Sequence, residues 1–156
     1  MTAITRSSMI RSLCGALGVG VFAAAGAQAQ DAKPHRVVIQ VDQNDPAVMN
    51  LALNNARNLI DYYRDKSEDI ELEIVAYGPG LHMLRDDTSP VKDRLKELSE
   101  VSFPSKIEFS ACNNTKRGME KLEGHPITIV PQARIVPAGV VRITELQEQG
   151  YSYLKP

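Results

Sequence analysis

The sequence predicts one α/β domain built on a mainly parallel β-sheet with helices on both faces. Two observations lead there. Short β-branched runs alternate along the chain with stretches of three- and four-residue apolar periodicity, which is the pattern of βαβ units. No internal repeat, low-complexity tract or interdomain linker interrupts that alternation.

The first 29 residues stand apart and read as a cleavable export signal. Arg6 and Arg11 make a positive start, no acidic residue occurs before Asp31, and the run from Leu13 to Ala25 is uncharged and apolar. Ala27-Gln28-Ala29 then supplies the small-x-small pattern cut by signal peptidase, so the mature chain is expected to begin at Gln30. The apolar run falls short of the roughly 20 residues that a membrane-spanning helix needs. Cys14 lies inside that run, with Leu13 before it where a lipoprotein signal carries a small residue. The expected location is therefore periplasmic, with no membrane contact after cleavage.

Of 156 residues, removal of 29 leaves 127, one domain of ordinary size. Of the 18 Lys and Arg residues, Arg6 and Arg11 fall in the leader, leaving 16 against 19 Asp and Glu and a net charge of −3. A mildly acidic domain lacks the basic face that phosphate neutralisation demands, which argues against nucleic acid as a partner.

Residues 30–35 are polar and read as a flexible tail, and the domain proper is expected over residues 36–156. Arg36 to Val41 is a buried strand by its β-branched run. Asp45 follows as an N-cap with Pro46 at the first helical position. Met49, Ala52, Leu53, Ala56, Leu59, Ile60 and Tyr63 make the inner stripe of the helix that they open. Ser67 to Asp69 turn the chain into a strand over 70–77, in which Ile70, Leu72, Ile74 and Ala76 share one face. Gly78-Pro79-Gly80 breaks it, and Leu81 to Arg85 suits a short helical turn.

A helix over 90–100 presents Val91, Leu95 and Leu98, and a third strand over 106–111 places Ile107, Phe109 and Ala111 together. Cys112-Asn113-Asn114-Thr115 opens another helix, running to about Leu122 and closed by Gly124. Its Asn-x-Thr triplet reads as helix capping, not glycosylation. Ala133 to Val136 is a fourth strand, while Ile127 to Val130 is ambiguous. The last helix carries Val140, Ile143, Leu146 and Gln147 inward and stops at Gly150, before a short strand from Tyr151 to Leu154.

Glu71, Glu73 and Glu108 do not fit strands covered on both sides, which read as continuous apolar runs. Either one face is incompletely covered or these strands lie near an edge, and a subunit contact would complete the cover.

Ligands of open α/β sheets bind beyond the carboxyl ends of the strands. The loops there carry Asp42 to Asp45, Tyr77 to His82, Ala111 to Thr115 and Pro137 to Gly139. Cys112, the sole cysteine after the leader, sits on one of them, where a helix N-terminus stabilises a thiolate. Lys116 and Arg117 would add positive charge one turn along. Two readings stay open: a nucleophilic sulfur carrier, or a free cysteine packed as a small hydrophobe. His82 could approach Cys112 as a base, or be a loop histidine. His35 and His125 lie beside prolines in turns and are expected to face solvent. Three scattered histidines and one cysteine have no metal-site spacing. Asp42, Asp45, Asp86 and Asp87 suit turns and caps better than acid/base work.

Phe109-Ser110-Ala111-Cys112-Asn113-Asn114-Thr115 resembles the strand-end cysteine segment of the DsrE/DsrF-like sulfur-relay family, which has the YchN-like fold. Val136-Pro137-Ala138-Gly139-Val140-Val141 and Leu146-Gln147-Glu148-Gln149-Gly150-Tyr151-Ser152-Tyr153 are similar to its C-terminal signature in the exported branch. The first strand with its Asn/Asp loop and Ala76-Tyr77-Gly78-Pro79-Gly80 fit as well, so the likeness spans Arg36 to Lys155. The resemblance implies a three-layer sandwich around a mainly parallel five-stranded sheet, assembled as a homotrimer or homohexamer. It implies that Cys112 carries a persulfide between a protein donor and a protein acceptor. Asn113, Asn114 and Thr115 beside it are expected to bind ligand, with no dissociable cofactor. The alternative is a non-catalytic oligomeric binding module with a structural cysteine.

Overall fold

The computed structural model describes residues 34–156; the expected export signal lies outside the described residues. Ten elements follow in order: β1 (His35–Val41), α1 (Pro46–Asp65), β2 (Ile70–Ala76), a 3₁₀ helix (Gly78–Leu84), α2 (Lys92–Val101), β3 (Lys106–Cys112), α3 (Asn113–Glu123), β4 (Ala133–Val136), α4 (Gly139–Glu148) and β5 (Ser152–Leu154). The five strands pair in parallel throughout, in the order β4-β3-β2-β1-β5. Among the described residues no helix is long and apolar enough to cross a membrane.

The strand order determines which face each helix takes. From β1 to β4 the chain steps steadily in one direction, so right-handed crossovers put α1, α2 and α3 on one face. From β4 it returns to the far edge beside β1, and the same handedness puts α4 on the other face. The result is three layers: several helices, the sheet, and α4.

The first face holds the main core. Val37, Ile39 and Val41 of β1, Leu72, Ile74 and Ala76 of β2, and Phe109 and Ala111 of β3 meet Met49, Ala52, Leu53, Ala56 and Ile60 of α1, with Leu95 and Leu98 of α2. Burying each large aliphatic side chain contributes about 1.5–3 kcal/mol. Asp45 caps α1 as its sequence position implied, its carboxylate accepting the Ala47 N–H at 2.7 Å. Gly124 and Gly150 adopt left-handed φ values of 77° and 89° beyond the helices they end.

The second face is thinner. Val38 and Val75 meet only Ile143 and Leu146 of α4, with Tyr77 and Tyr151 packed alongside. The half-polar strands β2 and β3 are interior, so edge position does not explain their glutamates: Glu108 is exposed and Glu71 partly so, while Glu73 is buried.

Several boundaries and faces differ from expectation. His35 begins β1 by pairing with Ile70, although it reads as the end of a tail, and its ring stacks on Tyr63 at 3.9 Å. The 3₁₀ helix starts at Gly78, ahead of the expected Leu81. Ile127 to Val130 forms no strand and contributes one antiparallel bridge, Ile129 to Arg85. Val140 and Gln147 face outward, Val140 being 57 % exposed. Helix α4 is only ten residues long and starts at Gly139, so its inner stripe shifts to Gly139, Ile143 and Leu146.

Candidate functional site

Parallel pairing brings the four loops named above to one end of the sheet. Along β3, Glu108, Ser110 and Cys112 alternate with Phe109 and Ala111, which places them on the α4 side. Cys112 is the last residue of β3 and the N-cap of α3, only 5 % exposed. Its Sγ accepts the Thr115 N–H at 3.5 Å. The expected asparagine cap is thus corrected: sulfur caps this helix, because Cys112 itself is the half-extended residue before the first turn.

Burial pushes the Cys112 thiol up. Hydrogen bonds from the Thr115 side chain and from the N–H groups of Thr115, Gly139 and Asn114 outweigh it and hold the thiol below its ordinary value. The starts of α3 and α4 lie at adjacent strand ends, where Cys112 pairs with Val136. The Thr115 hydroxyl is held in turn by the Gly78 N–H at 2.9 Å, and Asn114 N–H donates to Pro137 O at 3.3 Å.

Gly139 is a close-approach position. A Cβ there would lie 2.8 Å from Cβ of Tyr77 and 3.0 Å from its Cδ1, so only glycine lets the start of α4 come this near. Gly139 opens α4 three residues after Val136, the strand partner of Cys112.

The remaining candidates separate. Thr115 joins Cys112 directly, Asn114 contributes its backbone, and Asn113 is the first residue of α3. The Nδ1 of His82 pairs with Thr88 Oγ1 at 2.8 Å, and among the described residues no hydrogen bond joins it to Cys112. Lys116 is engaged by Glu120 one turn on, so backbone N–H groups hold the thiol down, rather than the expected Lys116 and Arg117. Asp87 clasps the buried Arg85, whose guanidinium also grips Glu123 of α3 at 2.6 and 2.7 Å. Asp42 pairs with Lys155 at 2.8 Å. Among the described residues no group of His, Cys, Asp or Glu could hold a metal ion.

A polar cluster on the same face went unrecognised in the sequence. Glu73 is 2 % exposed, and its two oxygens accept from Nε and Nη2 of Arg142 at 2.8 and 2.7 Å. They also accept from the Ser110 hydroxyl and from Nη2 of Arg134 at 3.1 Å to each oxygen. Arg134 bridges onward to Glu108 at 2.8 Å. Burial pushes Glu73 up, but the Arg142, Ser110 and Arg134 contacts prevail and keep it below the usual carboxylate value. Glu73 carried the signal, a carboxylate in an interior strand. Arg142 could have been found as its partner, since it lies one turn after Gly139 and one before Leu146. Beside the two arginines a cleft of about 270 Å³ opens, floored by Val136, Pro137 and Ala138.

Fold and site together define an α/β protein with a cysteine held at the carboxyl end of a parallel sheet. Residues 35–156 match the family model described as the DsrE/DsrF-like family, and the chain belongs to that family. It is similar to a solved structure of a protein of unknown function from Methanobacterium thermoautotrophicum, with 30% identity and a TM-score of 0.66 over 78% of this chain and 99% of that one. No curated protein matches it.

Proposed function

We propose that this chain is a periplasmic sulfur-handling protein that carries sulfur on Cys112 as a transient persulfide or mixed disulfide. Membership of the DsrE/DsrF-like family supports a sulfur-relay role. The observation that carries the reading is the place of Cys112 as N-cap of α3, its Sγ accepting the Thr115 N–H at 3.5 Å, which favours the thiolate. The thiolate attacks the outer sulfur of a donor protein's persulfide. The new Cys112 S–S bond forms as the donor's own S–S bond breaks, and the donor cysteine leaves as a thiolate that takes up a proton. The sulfur moves with no net oxidation, so the step needs no cofactor. Transfer to an acceptor cysteine repeats the exchange in the other direction.

The burial of Cys112 favours the rival reading, a binding module with a structural cysteine, and one experiment separates them. Native protein purified from the periplasm is weighed intact before and after reduction. The carrier reading expects a chain starting at Gln30 that bears one added sulfur lost on reduction, and native alkylation at pH 7 faster than that of an unstructured cysteine peptide. A sulfur-free chain whose thiol reacts only after unfolding sinks it.

Assembly as a homotrimer or a dimer of trimers belongs to the same proposal. Its support is the thin α4 face together with Ile135 on the edge strand β4 and Val140 and Val141 on α4, each more than half exposed. Light scattering that found a stable monomer at micromolar concentration would overturn it.

A further inference from the structure

Helix α4 has a small apolar footing and a strong polar one. Only Ile143 and Leu146 are its buried large apolar side chains, whereas Arg142 reaches into the sheet and is gripped by both oxygens of Glu73. Paired guanidinium–carboxylate geometry fixes orientation as well as distance. Ser110 and Arg134 hold Glu73 from β3 and β4, so the carboxylate is itself immobile. Gly139 lies three residues before Arg142, on the same side of the helix one turn nearer the thiol.

We infer that Glu73 is a positioning residue for Cys112: by gripping Arg142 it sets the start of α4 so that the Gly139 N–H faces the sulfur. The inference rests on the reading of Cys112 as a working thiolate and names how that thiolate is maintained. Glu73 touches neither the sulfur nor anything the sulfur would react with.

The charged and titratable groups on the elements around Cys112 give the test its sign. They include Glu71, Glu73 and Tyr77 at β2, Lys106 and Glu108 on β3, His82 on the 3₁₀ helix, Lys116, Arg117, Glu120, Lys121 and Glu123 on α3, Arg134 on β4, and Arg142, Glu145 and Glu148 on α4. If Glu73 acted only through its charge, its neutralisation would leave two arginines less compensated and make the thiolate easier to form. Positioning predicts the opposite, because a loosened α4 withdraws a donor from the sulfur.

The experiment measures the rate of iodoacetamide alkylation of Cys112 against pH in the native mature protein, for wild type and Glu73→Gln. The expected result is a midpoint moved to higher pH, a rate at pH 7 lowered about three- to tenfold, and an unchanged plateau at high pH. Arg142→Lys keeps the positive charge but loses the two-pronged grip, and should move the midpoint the same way. It serves as the test should Glu73→Gln fail to fold. A midpoint that stays or falls in a folded variant overturns the inference. A wild-type midpoint at or above that of an ordinary thiol overturns the sulfur-carrier reading instead, so the two failures are distinguishable.

Discussion

The two faces of the sheet divide the work of the molecule. On one, α1 and α2 bury a continuous aliphatic core against alternate residues of β1, β2 and β3. On the other, only four buried apolar residues meet beneath α4, and the space beside them is given to Glu73, its two arginines and Cys112. Apolar burial is non-directional and tolerates small shifts, so it supplies stability. The thiol needs N–H groups aimed at one atom, and directional polar contacts supply that aim. The face with less hydrophobic area is therefore the one that holds the candidate site.

The largest effect expected is on the apolar face. Phe109→Ala should cost about 3–5 kcal/mol, against about 2 kcal/mol for Leu146→Ala, whose thin surroundings can collapse into the space left. Urea unfolding of the two variants measures this, and equal costs would break the contrast. Gly139→Ala comes next. The added methyl meets Tyr77 at 2.8 Å and forces α4 to move, costing about 1–3 kcal/mol. Its thiol midpoint should rise with the loss of stability; a destabilised variant with an unmoved midpoint would separate the packing of α4 from its effect on sulfur.

Acid sharpens the comparison further. Glu73 and Asp87 both lie below their ordinary values of 4.5 and 3.8 in the folded state, Asp87 at about 2 beside Arg85. A depressed carboxylate stabilises the fold fully above its unfolded value, and that contribution is lost as pH falls through the folded value. Stability should accordingly be level above about pH 5 and decline toward pH 2. Glu73→Gln and Asp87→Asn should each flatten that decline, because each removes a carboxylate held below its ordinary value in the folded state. Thermal melts from pH 2 to 7 decide it, and a variant that declines as steeply as the wild type would show that its carboxylate contributes nothing there. Cys112→Ser is expected to have the smallest effect, under about 1 kcal/mol by urea unfolding. The donors around the sulfur can serve a hydroxyl, so the buried polar atom stays paired. A larger loss would make Cys112 a packing residue.

Every strand and helix of the domain was legible from its side chains. Asp45-Pro46 marks the start of α1 and Gly150 the end of α4, and the strand cores follow from β-branched runs, because caps, turns and periodicity are local properties. Cys112 at a strand-to-helix junction was legible for the same reason. The inner stripe of α4 was misread at Val140 and Gln147, because a thin, half-polar face leaves little apolar periodicity to follow.

By itself, then, the sequence determined the order of elements, the mainly parallel sheet and the place of Cys112 at the strand ends. All of these depend on neighbours a few residues apart. Only the tertiary structure decided that Glu73 is enclosed by Ser110, Arg134 and Arg142, residues 37, 61 and 69 positions away. It also decided that Gly139, Asn114 and Thr115, and not Lys116 or Arg117, hold down the thiol. Hydrogen bonds are short and directional, and which donors reach a given acceptor depends on how distant segments pack, a relation that no local pattern records.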